Sequence, residues 1–273
     1  MNDITVIVLT KNEEKNIRQC IESAKRIAKR IVVVDSESTD DTTKIAQSLG
    51  AQVYTNPWPG HAAQFNWALD NCEIQTKWVF RLDADERIPE PLAQEIVRRL
   101  ASPEAEEMAA YELRWYTYFM NKCLRYGGSH KTYILRLFKY GLGRVEEKLM
   151  DERFAVEGPV AKLQESLIHY DYKGLDAWLT KHVWYSQLEL QMYRTQMEET
   201  GANEAQHKRR GFYYRLPKFF RARLYYWYRY YAQLGFLDGR EGKIFCYLQA
   251  YWFRFLVDTK IYELEKALLE EQK

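Results

Sequence analysis

Short apolar runs alternate with segments of helical periodicity over the first hundred residues. The runs have the length of strands and cover residues 4–9, 31–34, 51–55 and 77–82. Between them, apolar residues recur at helical spacing around 17–27, 45–49 and 62–69, which predicts amphipathic helices. Strands that are apolar on both faces and alternate with such helices are typical of a parallel sheet covered by helices. The pattern predicts an α/β fold with a Rossmann-like, mostly parallel sheet flanked by helices.

Two acidic residues, Asp83 and Asp85, follow the fourth predicted strand. Open α/β sheets bind their ligands beyond the carboxyl ends of the strands. Two carboxylates there suit Mg²⁺ or Mn²⁺ carrying a diphosphate, because these ions take few protein ligands and complete their shell with phosphate and water. An isolated pair of this kind is otherwise a solvated acidic turn.

The loop after the first strand carries polar residues in place of glycines. Neither G-x-G-x-x-G after that strand nor G-x-x-x-x-G-K-[ST] occurs, which disfavours dinucleotide oxidoreductases and P-loop proteins. Thr10 and Glu13 fit the capping box of a helix N-terminus, where a nucleotide would also lie. Asp35 ends the second strand and is either an acceptor for a base or ribose donor, or a turn former.

Aromatic side chains are frequent between residues 111 and 138. Aromatic faces with polar tips suit sugar rings, although a hydrophobic core behind the sheet would have the same composition. Residues 133–138 read as a strand that carries Arg136.

Positive charge and aromatic residues are concentrated near the C-terminus, although the net charge of the chain is only +2. Residues 212–255 contain eighteen aromatic residues, and residues 207–260 contain twelve Lys or Arg against three Asp or Glu. No window reaches the roughly 18–20 apolar residues of a membrane-spanning helix. We predict a basic, aromatic helix pair on an anionic membrane surface, in a region 205–273 that follows a domain 1–204. A dimer interface, a core hairpin and a surface for single-stranded nucleic acid are the alternatives.

Cysteine usage and the N-terminus favour a cytoplasmic protein. The four cysteines are scattered without a C-x-x-C pair, which indicates neither a zinc site nor a disulfide framework. The first residues lack a basic region followed by a cleavable apolar stretch, so no signal peptide is expected.

Three motifs occur in a fixed order, VLTKNE at 8–13, IVVVDSESTDDT at 31–42 and LDADE at 82–86. Together they resemble the large inverting family of GT-A-fold glycosyltransferases, known as family two. The resemblance covers about residues 4–100 and continues through 136–138, 145–147 and 167–169. The segment GFLDGREG at 235–242 resembles the tail of a bacterial subgroup that includes lipopolysaccharide-core β-glucosyltransferases.

The resemblance implies a donor site and a metal site. The implied donor-binding residues are Thr10, Asn12, Glu13, Asp35, Gln64, Asn66, Arg81 and Asp83, with Asp35 at the uracil or its ribose. Asp85 would be the direct ligand of Mn²⁺ or Mg²⁺, and Asp83 would lie in its outer sphere. His169 would close the coordination or contact the diphosphate, with a structural role as the alternative. The family often has a basic residue where this chain has Phe65, so Arg81 or Lys131 would supply charge to the diphosphate.

Inverting transfer also needs a carboxylate that takes the proton of the acceptor hydroxyl as it attacks the anomeric carbon. In relatives of the subgroup the base is the acid of a Val-His-Glu triplet, which here reads Val145-Glu146-Glu147. The resemblance therefore implies Glu147 as the base, with Glu146 in the His position. Asp151 and Glu152 are the alternatives.

The resemblance thus implies a metal-dependent, inverting hexosyltransferase that uses a UDP-sugar such as UDP-glucose. Its acceptor would be a lipid-linked or lipopolysaccharide glycan at the inner face of the cytoplasmic membrane. No nucleic-acid partner is expected, and a homodimer stays open. The alternative is a non-catalytic, membrane-peripheral protein that binds nucleotide sugars or acts as a scaffold. Retention of both Asp83 and Asp85 favours the enzyme, because a binding module does not need a metal–diphosphate site.

Overall fold

A computed structural model of the chain describes residues 3–128, 130, 132–146, 154–198, 213 and 215–271. The chain groups into two compact units. Met1–Tyr118 and His130–Lys173 form the first, which we call the sheet unit, and Phe119–Ser129 and Gly174–Lys273 form the second, which we call the helical unit. The predicted boundary at 204/205 lies outside the described residues and stays a prediction.

Eight strands of the main sheet follow the order β3-β2-β1-β4-β8-β6-β11-β5. Neighbours are parallel from β3 to β4 and between β6 and β11, whereas β8 and β5 pair antiparallel with their neighbours. The strands are β1 (Ile4–Thr10), β2 (Arg30–Asp35), β3 (Gln52–Thr55), β4 (Trp78–Asp83), β5 (Glu86–Arg87), β6 (Ala110–Phe119), β8 (Ile134–Lys139) and β11 (Val160–His169). Three short strands complete the set, β7 (Lys122–Leu124), β9 (Gly143–Val145) and β10 (Phe154–Val156), of which β9 and β10 pair antiparallel.

The central strands are mostly apolar because both faces of the sheet are buried. In β1, Val6 and Val8 belong to one hydrophobic cluster, whereas Ile7 and Leu9 belong to the cluster on the opposite face. The helices of the sheet unit are α1 (Ile17–Ala24), α2 (Thr42–Ser48), α3 (His61–Asn71) and α4 (Glu90–Leu100). The predicted α/β fold with a mostly parallel, helix-flanked sheet and a C-terminal helical region is confirmed.

The helical unit contains more segments than the predicted helix pair. Its elements are α5 (Leu175–Glu198), α6 (Phe220–Trp227) with a π-helical turn at Tyr228–Ala232, a 3₁₀ turn at Gly235–Asp238, α7 (Gly239–Cys246) with a π-helical turn at Tyr247–Trp252, and α8 (Phe253–Glu271). The predicted helix pair is present, because α6 with its π-helical turn and the unbroken helical run from Gly239 to Glu271 follow each other across the Gly-rich segment, and α5 precedes both. Within the described ranges, none of these helices combines the length and the apolar character needed to cross a bilayer.

A buried ion pair joins α6 and α8. Arg221 is 2% exposed and Asp258 is fully buried. Arg221 Nε donates to Asp258 Oδ1 at 2.7 Å, and the second carboxylate oxygen accepts the backbone N–H of Phe219 at 2.8 Å. The carboxylate therefore compensates a buried charge and also fixes the start of α6.

We expect Asp258→Ala to lower the stability of the helical unit strongly, because Arg221 then stays buried with its charge no longer compensated by this carboxylate. Removal of one partner of a buried ion pair costs about 3–5 kcal/mol. The control Asp70→Ala breaks the exposed Arg144–Asp70 pair and should cost about 1 kcal/mol or less. Urea unfolding followed by circular dichroism measures both free energies, and equal losses would contradict the structural role of Asp258.

Candidate functional site

The carboxyl ends of β1, β2 and β4 lie at one edge of the sheet. The register pairs Thr10 with Asp35 and Leu9 with Asp83. Thr10 Oγ1 donates to Asp35 Oδ1 at 2.8 Å, and Ser38 donates its N–H at 2.7 Å and its hydroxyl at 2.6 Å to the same carboxylate. A carboxylate offers about four lone-pair directions. These three bonds hold Asp35 in one orientation, and among the described residues they leave one acceptor direction of its carboxylate for a further donor.

Asn12 connects the loops that follow β1 and β2. Its φ of 54° lies in the left-handed region, which asparagine adopts more readily than most residues. Its N–H donates to Ser38 Oγ at 2.8 Å, and its side-chain oxygen accepts the N–H of Thr39 at 2.8 Å. Asn12 thus shapes the edge next to Asp35.

Thr10 and Glu13 do not form the predicted capping box. α1 begins only at Ile17, and Thr10 is the last residue of β1. The N–H of Glu13 donates instead to Thr42 Oγ1 at 2.7 Å. That prediction was wrong because contacts with the loop after β2, distant in sequence, stabilise this segment.

A polar cluster around Glu13 was missed by sequence reasoning. Lys173 Nζ lies 2.6 Å from Glu13 Oε1, and the amide of Asn16 donates to Glu13 Oε2 at 2.8 Å and to Asp171 Oδ1 at 2.9 Å. Burial raises the pKa of Glu13, and the Lys173 ammonium opposes this increase. The polar residues directly after His169 were the only signal in the sequence.

Two predicted donor residues on α3 use their amides within the protein. Gln64 is fully buried, accepts from Asn56 Nδ2 at 2.6 Å and donates to Ser36 Oγ at 3.0 Å. Asn66 donates to the carbonyl of Val145 at 2.9 Å and accepts its N–H at 3.0 Å. Gln64 therefore fixes the loops after β2 and β3, and Asn66 fixes the end of β9 directly before Glu146.

Arg136 on β8 bridges Asp83 at the end of β4 and Glu86 on β5. Its Nη2 lies 2.9 Å from Asp83 Oδ2 and 2.6 Å from Glu86 Oε1. Burial would raise the pKa of Asp83, but the guanidiniums of Arg136 and Arg81 outweigh it and hold that pKa well below its usual value. Burial raises the pKa of Glu86 to about 7. Asp83 is thus an ionised carboxylate in a fixed position.

Arg81 provides a second cation beside Asp83. Its Nε lies 3.5 Å from Asp83 Oδ1, and its guanidinium carbon lies 5.4 Å from the centre of the Phe65 ring. Arg81 thus pairs with Asp83, and its predicted contact with the diphosphate stays a prediction. Arg81 is 7% exposed.

Asp85 and His169 meet at the end of β4 and β11. Asp85 Oδ2 lies 3.2 Å from His169 Nε2, and the carbonyl of Asp85 accepts the N–H of Tyr170 at 2.8 Å. Two ligands at right angles, each about 2.1 Å from one ion, are about 3 Å apart. The pair therefore fits Mn²⁺ or Mg²⁺. No cluster of three or more His, Cys, Asp or Glu residues typical of a metal site occurs in the part of the chain that is described.

A cavity of about 420 Å³ opens beside Arg81, Asp83 and Arg136. Its lining combines the charged end of β4 with side chains of β6, of β8 and the residue before it, and of β10. The lining residues are Arg81, Asp83, Glu112, Tyr133, Ile134, Leu135, Arg136 and Phe154. Arg114 and Lys162 both lie over the ring of Tyr133, at 5.0 and 4.6 Å from its centre. Of the aromatic residues predicted for sugar rings or core, Tyr133 thus lines the cavity and Tyr111 belongs to the core.

Of the acidic residues predicted for proton transfer, the structure describes Glu146. Glu146 is exposed directly after β9. Glu147, Asp151 and Glu152 lie outside the described residues, as does Lys131. Their predicted roles stay predictions.

A family model described as Glycosyl transferase family 2 matches residues 5–143, which is more than half of the 273 residues. The chain belongs to glycosyl transferase family 2. This glycosyltransferase is 31% identical over 198 residues to an uncharacterized glycosyltransferase of Rickettsia felis, with 68% of each protein covered. The resemblance inferred from the three ordered motifs is confirmed.

Further relatives of the glycosyltransferase differ in the share that is matched. The lipopolysaccharide core biosynthesis glycosyltransferase LpsC of Rhizobium meliloti is 29% identical over 260 residues, 90% of each chain. An uncharacterized glycosyltransferase of Rickettsia typhi is 37% identical over 136 residues, so that the match spans 46% of its length. A crystal structure of glucosyl-3-phosphoglycerate synthase from Mycobacterium tuberculosis with Mn²⁺, UDP and glucosyl-3-phosphoglycerate aligns at 26% identity and a TM-score of 0.34, over 42% of this chain and 44% of that one.

We expect Asn66→Ala to lower the turnover of the glycosyltransferase by about tenfold with little change in UDP affinity, because a shift of the segment after β9 misplaces groups at the reacting centre. Asn71→Ala is the matched control, since the Asn71 amide on the same helix donates to the Trp67 carbonyl one turn earlier. Calorimetry gives the UDP affinity and a transfer assay gives the turnover. A loss of UDP affinity with unchanged turnover would instead support the direct donor contact predicted from the sequence.

Proposed function

We propose that this glycosyltransferase transfers a hexose from a UDP-sugar, such as UDP-glucose, to a glycan acceptor with inversion at the anomeric carbon, in a reaction that depends on Mn²⁺ or Mg²⁺. The observation that carries the proposal is the 3.2 Å contact between Asp85 and His169 at the sheet edge that also presents Asp35 and Asp83. These residues come from strands far apart in the sequence, and a nucleotide diphosphate with its cation accounts for their convergence.

Asp85 and His169 would hold the cation, with Asp83 in its outer sphere. The cation would stabilise negative charge on the departing UDP. Ion pairing with Arg136 and Arg81 keeps Asp83 ionised at neutral pH. Asp83 is thereby available to orient the ribose or a metal-bound water.

The uridine would lie over the loops after β1 and β2. Asp35 has one acceptor direction left beside the donors Thr10 and Ser38, and this suits the N–H of uracil or a ribose hydroxyl. Arg81 would supply positive charge to the diphosphate, and its guanidinium lies over Phe65, the position at which the family often has a basic residue. Arg81 on β4 would thus take the role that the basic residue on α3 has in other members of the family.

Glu147 would act as the base, with Glu146 in the His position of the triplet. The base takes the proton of the acceptor hydroxyl while the oxygen bonds to the anomeric carbon and the bond to the UDP oxygen breaks. The double hydrogen bond between Asn66 and Val145 supports this assignment, because it anchors the chain two residues before Glu147. Asp151 and Glu152 are the next candidates in the same segment.

The acceptor would be a lipopolysaccharide-core or other lipid-linked glycan, and the enzyme would then act at the inner face of the cytoplasmic membrane. The similarity to a lipopolysaccharide core glycosyltransferase over 90% of both chains supports this acceptor class. The alternative, a non-catalytic protein that binds nucleotide sugars or acts as a scaffold, predicts donor binding without turnover.

We expect Asp85→Ala to abolish metal-dependent UDP binding and to lower turnover on the order of 10²-fold or more, because a group that stabilises leaving-group charge is lost. The measurement is calorimetry of UDP binding with and without Mn²⁺. Asp70→Ala is the control, since Asp70 forms an exposed ion pair with Arg144. Undiminished UDP–Mn²⁺ binding by Asp85→Ala would rule out this metal site.

We expect Glu147→Gln to keep UDP affinity and lose most of the transfer, because the amide preserves the shape of the side chain but does not accept a proton. Glu157→Gln, a change at an exposed glutamate of the same region, should leave transfer unchanged. Transfer from UDP-glucose to a lipopolysaccharide truncated in its core is the readout. If Glu147→Gln turned over at the wild-type rate, Glu147 would not be the base, and Asp151 or Glu152 would be assigned that role.

A further inference from the structure

Large apolar side chains form a continuous exposed row along α6 and the turn that follows it. Phe220, Leu224, Trp227 and Tyr231 are spaced as i, i+4, i+7 and i+11, which places them on one face of a helix. Phe220 and Trp227 are each 56% exposed and Tyr231 is 50% exposed. Leu234 and Leu237, in the segment directly after that helix, are also exposed. We call these six residues the aromatic stripe.

The helix is oriented opposite to the usual arrangement, in which a surface helix buries its apolar face. The buried residues of α6 and its π-helical turn are Arg221, Ala222 and Arg229. Arg221 pairs with Asp258, and Arg229 donates to the carbonyl of Gly127 at 2.6 Å. Because Arg221 and Arg229 occupy the buried face of the helix, the aromatic stripe faces the solvent. Exposed apolar patches of this kind mark interaction surfaces.

Several basic side chains of the helical unit form ion pairs with acids of the same unit. Besides Arg221, Lys218 pairs with Glu265 and Arg254 with Glu189. The exposed charged side chains described between residues 215 and 243 are all basic, namely Arg215, Arg223, Arg240 and Lys243. The two acids of that range do not offset them, because Asp238 is buried and Glu241 lies 3.3 Å from Lys122.

Asp238 gives the far end of the aromatic stripe a rigid support. Its carboxylate accepts the backbone N–H groups of Arg125 and Tyr126 at 3.0 and 2.9 Å. A Cβ at Gly242 would lie 2.4 Å from Asp238 Cβ, and one at Gly235 would lie 2.8 Å from Cys246 Sγ. The GFLDGREG segment therefore packs too closely for side chains at these glycines, and it fixes Leu234 and Leu237 in place.

We propose that the aromatic stripe inserts into the interfacial region of an anionic lipid bilayer, with the exposed basic residues on the headgroups. Trp and Tyr rings favour this depth, and cations beside them are attracted to anionic lipid. A second copy of the chain is a poorer occupant, because a two-fold interface across the stripe would bring the same cations of both copies together. The proposal goes beyond sugar transfer and assigns the contact with the membrane to specific residues.

The test is co-sedimentation of the full chain with vesicles of phosphatidylcholine and phosphatidylglycerol at low salt, compared with vesicles of phosphatidylcholine alone. We expect binding to the anionic vesicles that weakens as salt is added. The triple change Leu224→Gln, Trp227→Ser and Tyr231→Ser should lower the partition coefficient by about tenfold or more. Trp184→Ser, at an exposed tryptophan of α5, is the matched control and should bind as the wild type does.

Fluorescence gives a second readout that does not depend on the strength of binding. Brominated lipid should quench the tryptophan fluorescence of the wild-type and Trp184→Ser proteins. The quenched fraction should be smaller in Trp227→Ser. Equal quenching in the two variants, or no binding to anionic vesicles at low salt, would overturn the proposal. So would a triple variant that binds vesicles normally but changes from dimer to monomer in light scattering, or that loses affinity for single-stranded nucleic acid. No nucleotide sugar is present, so the outcome is independent of the proposed transfer activity.

Discussion

The ion pairs of Arg136 with Asp83 and Glu86 are the interaction on which the candidate site depends. The parallel register of β1, β2 and β4 brings carboxylates to one edge of the sheet, where burial and mutual repulsion would favour their neutral forms. Antiparallel pairing with β8 places the guanidinium of Arg136 between two of them. A fixed cation thus allows Asp83 to stay ionised in a partly buried position. The cost of assembling acids at this edge is the reason to expect a ligand there.

The elements of the sheet unit could be predicted well from the sequence because their signals are local. A strand buried on both faces shows as an unbroken apolar run, and Asp35 and Asp83 follow directly from where such runs end. The proximity of Asp85 and His169 was implied by the family resemblance, and the structure brings them to 3.2 Å. Their function in binding a metal stays a prediction.

The contacts that connect distant segments could not be predicted. The ion pair between Glu13 and Lys173, and the anchor of Asn66 on Val145, depend on which loops the topology brings together. The same holds in the helical unit, where composition alone assigned the basic residues to a surface. Arg221 and Arg229 are in fact buried, because their partners lie far away in the sequence. Composition gives the number of charges, whereas the fold decides which of them reach the solvent.

A crystal structure of the full chain with Mn²⁺ and UDP is the most direct test of the central claim that this edge of the sheet is a metal–nucleotide site. The account predicts an anomalous manganese peak within coordination distance of Asp85 and His169, about 2.1–2.2 Å from their donor atoms. It also predicts a uracil or ribose hydrogen bond to Asp35, with Arg136 still between Asp83 and Glu86. Manganese bound elsewhere, or UDP bound at this edge with Asp85 and His169 in contact and no metal ion between them, would contradict it.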